Sequence, residues 1–212
     1  MKKTSISFAF LLSFITLAAA QNLHLERTES QHKPLYTHTQ IDVNYINYPI
    51  KNLNTNGIGL NVAVVFRDRL ATGLSLDITD SRVFSGVKAL PPEATAFEYT
   101  QVSWMNEIIL HPNSKIDFSF PLKLGLGHAA FVKGDDFFFG RTLFSGTGVL
   151  SDSYFFVVEP GVNVMVHLLG RLDLNVGGSY RLISDTGMVS NGLNFTNYSI
   201  HAGLRFRVAA RK

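Results

Sequence analysis

Taken two residues at a time, the stretch 197–208, NYSIHAGLRFRV, separates into two faces. Tyr198, Ile200, Ala202, Leu204, Phe206 and Val208 share one, while Asn197, Ser199, His201, Gly203, Arg205 and Arg207 share the other. A period of two marks a strand with one apolar and one polar side. The same alternation recurs along the chain and predicts strands at 36–48, 57–66, 70–79, 97–110, 115–128, 153–168 and 171–183, with 194–208 as the eighth. In 115–128, for example, Ile116, Phe118, Phe120, Leu122, Leu124 and Leu126 oppose Lys115, Asp117, Ser119, Lys123, Gly125 and Gly127. Short connections at 67–69, 111–114 and 168–170 alternate with longer ones at 49–56, 80–96, 129–152 and 184–193. An up-and-down barrel with short periplasmic turns and long outer loops needs this rhythm and an even strand count.

Turn chemistry sets an expected register. Leu168-Leu169-Gly170, read as a type I turn with a G1 bulge, pairs Val166 with Leu172, Val164 with Leu174, Val162 with Val176 and Asn163 with Asn175. Across Arg67-Asp68-Arg69 the same reasoning pairs Val62 with Leu74 and Leu60 with Leu76. The last strand is expected to pair with the seventh and with the first near 41–45. Three features break the pattern. Asn106 interrupts the apolar face of Val102, Trp104, Ile108 and Leu110, which a β-bulge would re-phase. Pro121 and Pro160 lie inside predicted strands, where a missing donor points to a bulge or an edge.

The polar faces decide which side is inside. They are rich in Gly, Ser and Asn, with a few charges of both signs, and lack the Lys/Glu carpet of a solvated exterior. Eight strands enclose an interior just wide enough for side chains. The fold predicted is therefore all-β: an eight-stranded antiparallel up-and-down transmembrane β-barrel, apolar face to lipid. Aromatics near strand ends, Tyr45, Phe66, Trp104, Tyr180, Tyr198 and Phe206, are expected to form its interfacial girdles.

Composition agrees. Hydrophobic residues make up 46% and charged residues 17% of the 212-residue chain, less charge than the roughly 25% of soluble domains. Residues 1–20 read as a cleaved signal peptide: Lys2 and Lys3, an apolar run from Ile6 to Leu17, then Ala18-Ala19-Ala20. Residues 21–35 are a polar lead-in, 36–208 the barrel and 209–212 a tail. No cysteine is present, which excludes disulfides. The net charge of +3 is small and its basic residues are scattered, so nucleic acid is not an expected partner.

The segments EPGVNVMVHL, LDLNVGGSYRLI and YSIHAGLRFRV resemble the C-terminal half of small outer-membrane β-barrel proteins common in Bacteroidota, themselves loosely similar to the OmpX and OmpA barrels. The resemblance covers the last quarter of the chain and implies an eight-stranded barrel in the cell outer membrane. Outer-membrane lipid and the barrel assembly machinery are its implied partners. Such barrels usually finish on an aromatic residue. Here Phe206 and Val208 are followed by Ala209-Ala210-Arg211-Lys212.

Glu107, Asp117, Lys123, Glu159, His167, Asp173, Arg181, His201 and Arg205 are predicted to face the lumen. Buried charges must pair, because an unpaired one is expensive, so these nine are expected to form a structural polar network, with an ion path as the alternative. His128, His167 and His201 are candidate bases and Glu159 a candidate acid, yet none lies beside a serine in a recognisable motif. No metal spacing or phosphate-binding loop occurs, so neither catalytic residues nor a cofactor are predicted. In the loop 133–151, Phe137, Phe138, Phe139 and Phe144 put aromatics where water is expected. Exposed apolar patches tend to be contact sites, so an extracellular protein or glycan is the partner expected there. The leading functional reading is a non-catalytic outer-membrane barrel with a structural, adhesion or surface-interaction role. A lumen-rim lipid-modifying enzyme and a soluble exported barrel holding an apolar ligand are the alternatives.

Overall fold

A computed structural model describes residues 36–50, 53–82, 93–110, 112, 114–133, 149–184 and 196–209. They form eight strands: β1 (Tyr36–Ile50), β2 (Leu53–Phe66), β3 (Leu70–Arg82), β4 (Ala96–Leu110), β5 (Ile116–Val132), β6 (Val149–Leu169), β7 (Leu172–Ile183) and β8 (Asn197–Ala209). Each pairs antiparallel with the next, and β8 returns to β1 to close the barrel. At the seam Ile41 faces Phe206, Val43 faces Leu204 and Tyr45 faces Ala202, the pairing the last strand's pattern predicts. The shortest strand has 12 residues and the longest 21, and about 9–11 tilted residues suffice to cross a bilayer.

The β2–β3 hairpin has the expected register, Val62 opposite Leu74 and Leu60 opposite Leu76. Its turn is tight: the Arg69 N–H donates to the Phe66 carbonyl at 3.0 Å, and Arg67 and Asp68 both take positive φ, 50° and 62°. Two consecutive positive φ values are the mark of the type I′ hairpin turn, whose twist matches that of the strands.

The β6–β7 register differs from expectation by two residues. Val166 faces Leu174, Val164 faces Val176, and Asn163 faces Gly177 in place of Asn175. The irregularity falls between His167 and Leu169, Leu169 faces Leu172, and the turn is made by Gly170, at φ +36°, and Arg171. A slip of two, unlike a slip of one, leaves every side chain on its predicted face.

No bulge occurs at Asn106. The β3–β4 and β4–β5 registers run through it unbroken. Asn106 stays on the outer face directly opposite Thr72, whose hydroxyl donates to Asn106 Oδ1 at 2.9 Å. Two polar side chains pair with each other and remove the need to re-phase the strand. Register also holds across both prolines: Ser119 faces Asn163 before them and Leu122 faces Pro160 after. The Pro121 ring turns inward, where Gly161 leaves room for it; a Cβ on Gly161 would lie 3.2 Å from the ring. The registers shift instead near strand ends, between Tyr36 and His38 and between Phe131 and Val132.

Sidedness is the reverse of a soluble barrel. Val43, Leu60, Leu74, Val102, Phe118, Leu126, Val164 and Ile200 are exposed on the outside, while Asp42, Asp77, Glu107, Glu159, Asp173 and Arg205 are buried within. Tyr180 faces Tyr198 near the outer end of β7 and β8, as the girdle reading predicts. Trp104 departs from it, lying at mid-strand between Leu74 and Leu124. Two apolar clusters fill the polar-parity face as well: Phe97, Tyr99, Phe131 and Phe155 toward the outer end, and Ala63, Val65, Met105, Ile109 and Met165 toward the periplasmic end. Alternation alone does not reveal these, because the strands there are apolar on both sides.

Candidate functional site

The lumen is the candidate site, and its charged residues arrive by strand alternation. Consecutive strands each deliver every second side chain to the interior, so residues distant in sequence meet across it. All nine predicted residues, Glu107, Asp117, Lys123, Glu159, His167, Asp173, Arg181, His201 and Arg205, lie on the lumen side and share it in three tiers.

The middle tier centres on Arg205. Its Nε donates to Asp42 Oδ1 at 2.8 Å, and its Nη2 donates to Asp42 Oδ2 at 2.9 Å and to the two Glu107 oxygens at 2.9 and 3.0 Å. Glu107 also accepts from Gln40 Nε2 at 2.8 Å and from the Ser119 hydroxyl. This is the bidentate geometry that a planar guanidinium supplies and an ammonium does not.

Toward the outer end, Lys123 Nζ lies 2.8 Å from Asp77 Oδ2. The Arg181 guanidinium sits between two rings, 3.9 Å from the Tyr48 centroid and 4.6 Å from that of Tyr99, with Nε 3.8 Å from Glu159. Cation–π contacts of this kind strengthen as water is removed. Glu159 accepts from Ser179, from Ser199 at 3.3 Å and from Gln101 at 3.2 Å. His201 Nε2 lies 3.0 Å from Asn163 Oδ1.

The periplasmic tier is built on His167. Its Nε2 lies 2.8 Å from Asp117 and its Nδ1 2.6 Å from Asp173, which also accepts from Arg207 at 2.8 Å. The candidate bases therefore face carboxylates and an amide. His128 is not in the lumen: it stands on the outer face, with Nε2 3.3 Å from Asp152 and its ring 4.4 Å from that of Tyr154. Asp42, Asp77 and Arg207 belong to the network although they were not among the predicted nine. All three lie on the polar parity of their strands, so the alternation already held that signal. Tyr48 and Tyr99 carried no such signal, being aromatics on polar-parity positions. Phe137, Phe138, Phe139 and Phe144 lie outside the described residues.

A cavity of about 20 Å³ lies at mid-lumen, walled by Asp42, Asn61, Asn175, His201 and Arg205 among others. A vestibule of about 120 Å³ opens at the periplasmic end, bordered by His38, Asp117, His167, Asp173, Arg205 and Arg207. Arg205 forms part of both walls and stands between them.

Closed, antiparallel, apolar outside and ion-paired inside, the chain is a β-barrel of the membrane-spanning class. Among solved structures it is similar to small outer-membrane barrels. Neisserial surface protein A matches with a TM-score of 0.49 at 16% identity, over 81% of this chain and 96% of that one. OprG from Pseudomonas aeruginosa matches at 0.47 and 13%, over 86% and 100%. Ail, the attachment invasion locus protein of Yersinia pestis, in complex with the heparin analogue sucrose octasulfate, matches at 0.46 and 14%, over 81% and 98%. No family model matches the chain, and no curated protein matches it.

Proposed function

We propose that this chain is an integral outer-membrane barrel whose lumen is a salt-bridged plug, and whose role is structural or surface-interacting, not catalytic. The observation that carries this is the sidedness: large apolar side chains are exposed all round while paired charges are buried at the centre. In water that arrangement would expose a continuous apolar belt far beyond what soluble proteins carry. In a bilayer the belt meets hydrocarbon and a closed sheet leaves no unpaired backbone edge. Outer-membrane lipid is the partner of the belt, and the assembly machinery inserts it. The outer loops are where an extracellular protein or glycan would bind. A soluble barrel holding an apolar ligand fits poorly, since both lumen cavities are bordered by charged and amide side chains.

Fractionation after export in a diderm host tests the membrane reading. The mature protein is expected in the outer-membrane fraction and to need detergent for release. Recovery as a soluble periplasmic protein would sink it. Reconstitution in planar bilayers tests the plug separately: the expected trace has no conductance steps, and stable steps would show an open path.

A further inference from the structure

The three strands that return from the periplasmic turns begin alike. Arg69 precedes Leu70 at the start of β3, Lys115 precedes Ile116 at the start of β5, and Arg171 precedes Leu172 at the start of β7. Each cation stands on the last rung of the barrel wall. Its carbonyl accepts a backbone N–H from the neighbouring strand: Arg69 from Ile109 at 2.8 Å, Lys115 from His167 at 3.1 Å and Arg171 from Arg207 at 2.8 Å. All three residues are exposed. Among the described residues none of the three has an ion pair. The acids beside them are engaged elsewhere, Asp68 with His38 at 3.7 Å, Asp117 with His167 at 2.8 Å and Asp173 with Arg207 at 2.8 Å. Lys133, at the opposite end of the barrel, is by contrast paired with Glu93.

The aliphatic residue after each cation points outward, and so do its neighbours across the ladder. Ile116 is 52% exposed. Leu172 stands between Leu169, 75% exposed, and Phe206, 43% exposed, and Leu70 stands between Phe66 and Ile108. One residue of strand rises about 3.3 Å, whereas the headgroup layer on each side of the hydrocarbon is roughly 5–8 Å thick. The cations therefore lie within that layer, at the level of the lipid phosphates, and not beyond it in the periplasm. A long basic side chain at this depth keeps its stem on apolar surface and its charge among the headgroups.

We propose that Arg69, Lys115 and Arg171 form a basic rim that binds anionic phospholipid headgroups of the periplasmic leaflet in preference to zwitterionic ones. A zwitterionic head sets its own amine against its phosphate, while an anionic head leaves its charge for the protein's cations. This names the lipid class that the membrane reading leaves open, and it rests on that reading.

The test is electron paramagnetic resonance on the full mature chain in phosphatidylcholine vesicles carrying a trace of spin-labelled phosphatidylglycerol or of spin-labelled phosphatidylcholine. Lipid held at the barrel gives a motionally restricted component. Each cation near an anionic surface favours association about fivefold, so the association constant is expected to be severalfold higher for phosphatidylglycerol. High salt should bring the two constants together, an arm that needs no variant. The preference should be lost in the triple variant Arg69→Gln, Lys115→Gln, Arg171→Gln and kept in Lys133→Gln. Equal constants for the wild type overturn the proposal, as does a preference that the folded triple variant retains. Cosedimentation of the solubilised protein with cell-wall sacculi, with no lipid preference, assigns the cations to an acidic polymer and also overturns it. Absence of a restricted component for both labels refutes the membrane reading and the rim with it, whereas a restricted component equal for the two labels refutes the rim alone.

Discussion

At the scale of single residues, Arg205 carries the most. Its one guanidinium makes contacts to Asp42 and Glu107 at 2.8 to 3.0 Å, and it walls both cavities. Replacing it with Leu leaves two buried carboxylates without their cation. The expected cost is about 3–5 kcal/mol, the range for removing one partner of a buried ion pair, read as a lower urea midpoint in vesicles. A loss under 1 kcal/mol would mean that water already screens the tier. The Glu93–Lys133 pair is the contrasting case. It joins the ends of β4 and β5 outside the membrane, with Nζ 2.8 Å from Oε2 and both side chains well exposed. The Lys133 ammonium, by hydrogen bond and charge, holds the Glu93 carboxyl below its usual range. A lowered folded-state value means that the pair's contribution is present above the ordinary glutamate pKa and is lost as pH falls through the lowered one. Exposed pairs contribute little to stability, so the measurement is a carboxyl NMR titration. Glu93 should titrate below a free glutamate, and Lys133→Met should restore the ordinary midpoint; a titration insensitive to that change would refute the assignment.

Individual strands and turns show where local rules were bent. The β2–β3 turn puts Arg67 and Asp68 at positive φ, a conformation that costs ordinary L-residues about 1–2 kcal/mol and that Asn tolerates better. Arg67→Asn is therefore expected to raise stability by about 0.5–1 kcal/mol, seen as a later unfolding transition. On the lipid face, Thr72 and Asn106 satisfy each other across β3 and β4. Removing one partner strands the other, while replacing both with apolar groups is close to neutral. Thr72→Val alone should thus cost about 1–3 kcal/mol, and Thr72→Val with Asn106→Leu should recover most of that. Additive losses in the double variant would show that the two do not act as a pair.

For the molecule as a whole, closure is the decisive property. β8 supplies the partner for β7 on one side and β1 on the other, so no strand is left as an edge. Edges are costly in lipid, where no water replaces the missing bonds. Folded protein should consequently migrate faster than boiled protein on a denaturing gel. A chain truncated before Asn197 should show no such shift, because β1 and β7 would both lose their neighbour. Retention of the shift after truncation would contradict closure through β8.

Strand number, sidedness and the nine lumen residues were legible in the sequence because a strand's side-chain period is two and nothing local competes with it. The β2–β3 register was legible too, since a short turn leaves few ways to pair. Other features depended on the closed barrel. The β6–β7 register turned on whether the turn absorbs Leu168 or the strand does, which pairing on both flanks resolves. Asn106 read as a defect until the fold set Thr72 beside it. Met105, Ile109, Tyr48 and Tyr99 sat at polar parity without a polar signal, and their burial follows from the narrow interior they fill. The pattern along the chain determined which residues go inside and which meet lipid. Which of the inward residues meet Arg205 was decided only by closure: Asp42 stands opposite it where β8 returns to β1, and Glu107 reaches it across the lumen from β4, whereas His167 meets Asp117 and Asp173 from the adjacent strands β5 and β7.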